Sequence, residues 1–195
     1  MIVLPFLSDP GTVMQELRAI PVLCELAHEA IREHRIERLE ALSDAGKGEL
    51  ERLQTQSSLM MAHATFEFAF KQLVERTEDY KKKPGMKPLD QLAERLEAVT
   101  GKLAALHSSD WKAVLLLAKV RNLIAHAGGF QDRDFVFDEL DFLGELGIRD
   151  AVGVGDPPLA AFMYEAKCVS ACVDIYLRVL DALYKELEGL SSARS

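Results

Sequence analysis

Three polar side chains stand close together near the end of one apolar stretch of this chain: Arg121, Asn122 and His126. The imidazole of a histidine titrates near neutral pH, so it suits general acid or general base catalysis. The guanidinium of an arginine keeps its charge and presents a planar fork to phosphate oxygens. The amide of Asn122 is suited to orient either His126 or the phosphate. These residues predict proton transfer beside a stabilised phosphate, with no metal required.

The stretch around these residues predicts one buried helix over 111–130, with the sequence WKAVLLLAKVRNLIAHAGGF. Its unbroken apolar run over 114–118 requires cover on most faces. Ser108, Ser109 and Asp110 supply capping side chains and negative charge at its start. Two glycines, at 128 and 129, are placed to end it.

The helical period decides which polar groups share a side of this helix. Spacings of three, four and seven residues put Lys112, Lys119, Asn122 and His126 together. Arg121 lies roughly 140° away from His126, at about 100° per residue. The long Arg121 side chain either sweeps back toward His126 or points to another part of the molecule.

The string RNLIAH from Arg121 to His126, followed by Ala127 and two glycines, resembles the R-N-x-x-x-H signature of HEPN domains. The resemblance covers roughly residues 48–188. It implies an all-helical domain of the kind found in bacterial toxin–antitoxin, abortive-infection and other antiviral systems. Many such domains are metal-independent endoribonucleases, in which the arginine and histidine of two protomers form one composite site. Some antitoxin-paired members carry a tyrosine two residues after the histidine, and Gly128 stands there in this chain.

The resemblance implies a function and its partners. The expected activity is that of an endoribonuclease that yields a 2′,3′-cyclic phosphate and a 5′-hydroxyl, without metal or cofactor. Arg121, Asn122 and His126 are the expected catalytic residues, and a homodimer would supply a second histidine, because one histidine cannot easily be base and acid in one step. An antitoxin or a defence-complex protein is the expected further partner. Two alternatives stay open: a non-catalytic RNA- or nucleotide-binding assembly module, and a motif that only packs helices.

Apolar periodicity predicts an all-α fold, an up-and-down bundle of about five helices with a loop-rich excursion before the last one. We expect a single compact domain, with residues 1–45 as an N-terminal tail and accessory helix and residues 46–190 as the HEPN-like part. The charged segment at 32–40 is interpreted either as a solvated helix face or as a partner-binding arm. The first helix is expected from Asp9-Pro10 or Thr12 to about Leu42, with an apolar stripe that includes Leu23 and Leu26 and with Pro21 as a kink or the true start. The next three are expected from about Glu49 to Asp79, after a turn over 43–48, from Leu89 to about Leu106, and over the motif stretch. The last helix is expected from Asp156-Pro157-Pro158 to about Leu187, with Phe162 on its apolar stripe.

Two titratable groups, His63 and Glu67, interrupt the most apolar part of the second predicted helix. A carboxylate in a buried segment is costly unless it is paired. One hypothesis pairs Glu67 with Arg121, so that the carboxylate supports the catalytic guanidinium. The alternative pairs Glu67 with Lys71 on a wetter flank of its own helix. His63 alone is more often a hydrogen-bonded core histidine than a functional group.

The loop YKKKPGMK over 80–87 is the one concentrated basic patch. In an up-and-down bundle it lies at the same end as the motif, where lysines would suit an RNA backbone. The alternative is an ordinary solvated turn. The predicted RNA-binding lysines are Lys81, Lys82, Lys83, Lys87 and Lys119.

The acidic stretch over 131–150 follows the motif, and its role is not readable from the sequence. It predicts either a short helix or a strand at 135–137. Glycines at 144, 147, 153 and 155 favour loops and a small hairpin.

Bulk properties bound the class of protein. The 195 residues, 49% hydrophobic and 28% charged, predict one globular domain. The net charge of −8 argues against a broad nucleic-acid surface but allows a small local one. Three cysteines without framework spacing indicate reduced thiols and a cytoplasmic protein. Cys168 and Cys172 favour core packing over metal binding. No apolar run approaches the roughly 20 residues that span a bilayer, so no membrane partner is expected.

Overall fold

The computed structural model describes residues 10–33, 43–77, 88–127, 130–131, 137–152, 160–165 and 167–194. The all-α class predicted from the sequence is confirmed, because six α-helices dominate this part of the chain. The helices are α1 (Pro10–Arg32), α2 (Asp44–Thr77), α3 (Leu89–Thr100), α4 (Ser109–Ala127), α5 (Phe137–Glu145) and α6 (Cys168–Arg194), with a 3-10 helix over Ala104–His107. In the described residues, no helix is both long enough and apolar enough to cross a membrane.

Four aromatic rings connect the helices at the centre of the bundle. Phe66 of α2 stacks on Tyr176 of α6, with ring centroids 4.8 Å apart. Phe70, one turn further along α2, lies 5.1 Å from the ring of Trp111 at the start of α4. Rings of this size dominate the apolar area of a core, at about 1.5–3 kcal/mol for each fully buried side chain. These contacts fix the relative positions of α2, α4 and α6.

Helix α1 packs on α2 and α6 through Val13, Leu17 and Ile20, which belong to the same core as the rest of the bundle. It runs without interruption through Pro21, so this proline is not the start of the helix. The predicted apolar stripe was wrong for Leu23 and Leu26, which are each 56% exposed. The helix carries two apolar faces, and only the one that contacts α2 and α6 is buried. The predicted extension beyond residue 33 lies outside the described residues.

Helix α2 begins earlier than predicted. Residues 44–48 form its first turns, so the turn predicted over 43–48 was wrong. The Ser43 hydroxyl accepts a hydrogen bond from the Gly46 backbone N–H at 3.3 Å, as an N-cap does. Asp44 adds negative charge at the positive end of the helix dipole. This capping outweighs the poor helix propensity of the two glycines.

Helix α3 ends at Thr100, not near Leu106, because Gly101 adopts a φ of 89° that L-residues rarely take. The 3-10 helix that follows brings the chain to α4. There, the Ser108 hydroxyl accepts a hydrogen bond from the Trp111 N–H at 3.1 Å, so Ser108 is the predicted N-cap. Helix α4 ends at Ala127, immediately before the two glycines expected to stop it, and Phe130, the last residue of the stretch predicted as helix, lies on a strand.

A small sheet replaces the predicted beginning of the last helix. Its strands are β1 (Phe130–Gln131), β2 (Ile148–Val152) and β3 (Ala160–Tyr164), in the antiparallel order β1-β3-β2. Phe162 therefore lies on a strand, fully buried, and α6 begins only at Cys168. The segment AAFMY has no strong local preference for a strand, but its pairing with Ile148–Val152 decides its conformation. Residues 132–136 lie outside the described residues, and position 137, proposed as part of a strand, begins α5.

Gly147 makes the turn between α5 and β2, and we expect its replacement by alanine to destabilise the protein. Its φ is 81°, and an added Cβ would lie 3.0 Å from the Cβ of Glu165. Gly147→Ala should lower the free energy of unfolding by about 1–3 kcal/mol, measured by urea denaturation. Gly144→Ala is the matched control, because Gly144 lies in α5 with open space around it. An equal loss in both variants would contradict this explanation.

Asp110 and Arg178 tie the start of α4 to α6 through two hydrogen bonds of 2.8 Å. The Arg178 guanidinium holds the pKa of the Asp110 carboxyl below its ordinary value, against a smaller opposing effect of burial. The stabilisation is therefore present above the unfolded-state pKa of about 4 and is lost as the pH falls below it. Asp110→Asn should cost about 1 kcal/mol at pH 7, and less near pH 2, in denaturation measured at both pH values.

Candidate functional site

Arg121 lies partly inside the bundle and partly at its surface. Its Nε atom is buried and has no hydrogen-bond partner in the part of the chain that the structure describes. Its Nη1 atom donates a hydrogen bond to the Asn122 side-chain oxygen at 3.0 Å, on an exposed part of α4. The guanidinium therefore keeps one edge in the low-dielectric interior and the other within reach of solvent. Such placement strengthens its attraction for an anion at the surface.

Glu67 forms neither of the two ion pairs considered from the sequence. Its Oε1 atom lies 3.3 Å from Nε2 of His63, one turn earlier on α2, and Lys71 instead lies 3.9 Å from Glu75. The His63 contact is close because residues four apart share a helix face. Contact with the His63 imidazole is the main cause that lowers the pKa of Glu67, and the charge of Arg121 adds to it, while burial acts in the opposite direction.

Glu67 and Arg121 nevertheless line one cavity, of about 210 Å³, between α2, α3 and α4. The remaining walls are mostly apolar and include Phe68, whose ring is 41% exposed. The lining residues are Ala64, Glu67, Phe68, Lys71, Leu89, Leu92 and Arg121. The cavity thus brings one carboxylate and two cationic side chains to an apolar recess beside the motif.

His126 is exposed in the last turn of α4. It lies five positions after Arg121 in the helix, a rise of about 7.5 Å along the axis. Among the described residues, no hydrogen bond or ion pair joins His126 to Arg121 or Asn122. The structure thus brings Arg121 and Asn122 into contact, and it leaves His126 accessible on the same helix.

Lys119 shares its side of α4 with His126 and lies roughly opposite Arg121, at about 100° per residue. Its Nζ atom is 2.6 Å from Oε1 of Glu139 on α5. Lys119 also lines a separate cavity of about 580 Å³ between α4 and α5, together with Lys112 and Phe142. Its predicted contribution to RNA binding would therefore come from a surface that faces away from the Glu67 cavity.

Other predicted site features fall outside this geometry. Lys81, Lys82, Lys83 and Lys87 lie outside the described residues. Cys168 and Cys172 are buried thiols, and burial raises the pKa of Cys168 to about 12. Within the ranges that the structure describes, no group of histidine, cysteine or acidic side chains has the arrangement of a metal site.

Sequence reasoning missed Tyr176. Its hydroxyl lies 2.9 Å from Nδ1 of His63, deep in the core. The prediction that His63 is a hydrogen-bonded core residue is confirmed for Nδ1, whereas its Nε2 contacts Glu67 without hydrogen-bond geometry. The spacing of four between His63 and Glu67 was the available signal, but nothing local indicates a tyrosine more than a hundred residues away.

The site presents a half-buried guanidinium, an amide that contacts it and an accessible imidazole on one helix. Chemically, these groups can bind an oxyanion and exchange a proton with a neighbouring hydroxyl. Comparison with protein-family models, curated proteins and solved structures found no match to the chain.

Proposed function

We propose that this chain is a metal-independent endoribonuclease of the HEPN type. The observation that carries the proposal is the position of Arg121, whose guanidinium is held with Nε inside the bundle and Nη1 on Asn122 at the surface. Among the described residues Arg121 makes no ion pair, so no carboxylate in contact with it neutralises its charge. A role in a toxin–antitoxin or antiviral system rests on the resemblance of the RNLIAH string alone.

The proposed reaction is an internal transesterification of RNA. His126 takes the proton of a 2′-hydroxyl, and the 2′-oxygen attacks the adjacent phosphorus. The negative charge that develops on the phosphate oxygens is stabilised by the Arg121 fork. The bond to the 5′-oxygen breaks, and this oxygen takes a proton from a second imidazole. The products are a 2′,3′-cyclic phosphate and a 5′-hydroxyl.

A second copy of this chain is the proposed source of the second imidazole. Helix α2 carries exposed apolar side chains at Leu53, Met61 and Phe68, each 41–46% exposed, and Phe68 also lines the Arg121 cavity. Their spacings of eight and seven place them along one side of the helix. A homodimer that covers this side would bring two motif regions close to each other. A defence-complex protein or an antitoxin is a further proposed partner.

Substitution of the two motif side chains tests the reaction. We expect Arg121→Ala and His126→Ala each to lower RNA cleavage in the presence of EDTA by roughly a hundredfold or more, because they remove charge stabilisation and proton transfer. Arg121→Lys keeps the charge but not the fork, so it should restore only part of the activity. The measurement is single-turnover cleavage of varied RNAs, with identification of the cyclic phosphate end.

Folding and assembly must be checked in the same variants, by circular dichroism and by sedimentation. Cleavage that survives His126→Ala would disprove the assigned base. A folded wild-type dimer that binds RNA but does not cleave it would support the alternative of a non-catalytic binding module.

Lys119 provides a test of its predicted role in RNA binding. If it contacts the backbone, Lys119→Ala should raise KM about two- to tenfold and leave kcat unchanged, because the contact is equal in ground and transition states. Lys185→Ala is the matched control, since Lys185 on α6 makes an ion pair of the same 2.6 Å length with Asp181. Equal effects of the two substitutions would exclude a specific role for Lys119.

A further inference from the structure

A chain of buried polar groups leads from α6 to the Arg121 cavity. It begins at Tyr176, whose hydroxyl lies 2.9 Å from Nδ1 of His63. Both side chains are almost completely buried, with only 1% of His63 and 2% of Tyr176 exposed. Polar groups buried to this extent are costly unless each is satisfied, so their pairing is a strong local constraint.

The chain continues from His63 to Glu67. Nε2 of His63 lies 3.3 Å from Oε1 of Glu67. A carboxylate at that distance favours the tautomer that carries hydrogen on Nε2. In this tautomer Nδ1 is an acceptor, so the Tyr176 hydroxyl is the donor. Tyr176 therefore fixes both the orientation of the imidazole and the nitrogen that faces Glu67.

The last pair in this chain of polar groups is Glu67 and Arg121. The two side chains line the same cavity, and the positive charge of Arg121 helps to lower the pKa of Glu67. His63, Tyr176 and Arg121 also meet around a smaller enclosed space between α2, α4 and α6. Nε2 of His63 and Nε of Arg121 are both buried donors without a hydrogen bond. Glu67 is the acidic side chain that contacts one of them and interacts electrostatically with the other.

We propose that Tyr176 and His63 are positioning residues, which hold the Glu67 carboxylate where it restrains the guanidinium of Arg121. Only the expected effect on RNA cleavage rests on the proposed ribonuclease function. The restraint itself is a property of the free protein. Its physical basis is that a carboxylate held by an oriented imidazole keeps a fixed position relative to the buried Nε–H. Without that orientation, Glu67 is free to turn toward solvent, and Arg121 loses its restraint.

Tyr176→Phe is the test variant, because it removes the hydroxyl and keeps the ring that stacks on Phe66. Tyr164→Phe is the matched control. Tyr164 is a partly buried tyrosine whose hydroxyl accepts one hydrogen bond from α2, from Gln56 at 3.4 Å. Its hydroxyl makes no contact with His63 or Glu67. Both variants therefore lose one hydroxyl that is hydrogen-bonded to α2, and only one of them interrupts the chain to Arg121.

The first measurement is the exchange of the Arg121 Nε–H with water, observed by NMR in the RNA-free protein. We expect slow exchange in wild type and in Tyr164→Phe, and exchange at least roughly tenfold faster in Tyr176→Phe. The pKa of the Glu67 carboxyl, followed by carbon NMR, should rise toward its ordinary value in Tyr176→Phe alone. Equal exchange rates and equal Glu67 titration in the two variants would overturn the proposal.

A second pair of variants keeps the proposal falsifiable if Tyr176→Phe does not fold. His63→Gln retains one acceptor and one donor, whereas His63→Leu retains neither. We expect slow exchange of the Arg121 Nε–H to survive in His63→Gln and to be lost in His63→Leu. The same behaviour in both variants would show that His63 contributes packing only.

Cleavage kinetics separate this proposal from the proposed function. If the chain cleaves RNA, Tyr176→Phe should lower kcat by roughly tenfold or more with little change in KM, because a displaced guanidinium affects the transition state most. If wild type does not cleave RNA while the NMR differences are found, the positioning chain stands and the ribonuclease function fails. Unchanged kcat in an active Tyr176→Phe enzyme would contradict the proposed role in catalysis.

Discussion

The requirement to bury polar and charged groups beside the aromatic centre constrains this molecule more than any other feature. Phe66, Phe70, Trp111 and Tyr176 hold α2, α4 and α6 in fixed relation, and His63 contacts the ring and the hydroxyl of Tyr176. A charge in such surroundings costs several kcal/mol unless neighbours compensate for its lost hydration. His63 meets this requirement through Tyr176 and Glu67, whereas the buried Nε of Arg121 has no hydrogen-bond partner among the described residues.

The division of Arg121 between interior and surface has consequences for its chemistry. A guanidinium free in solvent loses side-chain entropy whenever it binds a phosphate, and water screens its charge. Arg121 has already lost part of that freedom in the folded protein, because Nε is buried and Nη1 is engaged by Asn122. Groups arranged in advance for a developing charge do not need to reorganise during a reaction. His126 lacks comparable restraint from the described residues, so the two motif side chains differ in preorganisation.

The sequence allowed the helical class, the extent of α4 and the positions of its cap and its end to be predicted. These features depend on local patterns, namely an apolar run, a capping serine and a pair of glycines. The errors for Phe162 and for Leu23 and Leu26 arose where distant pairing decided the outcome, whereas the start of α2, the end of α3 and the contact of Glu67 were decided locally. Phe162 fits a helical stripe by spacing, but its segment pairs with β2. Leu23 and Leu26 are as apolar as the buried face of α1, and only the packing of α2 and α6 decides which face is covered. The sequence offers Glu67 two cationic partners, Lys71 and Arg121, yet its carboxylate contacts His63.

Helix α4 joins two regions of unequal local stability. The backbone amide of Arg121 lies among the buried contacts of Leu117, Val120 and Ile124, whereas the last turn, with His126, has exposed side chains. Opening of that turn needs no separation of α2, α4 and α6, so we expect its hydrogen bonds to open at a lower free energy than those around Arg121. We therefore expect the imidazole to move more freely than the guanidinium, whose helix turn is packed in the core.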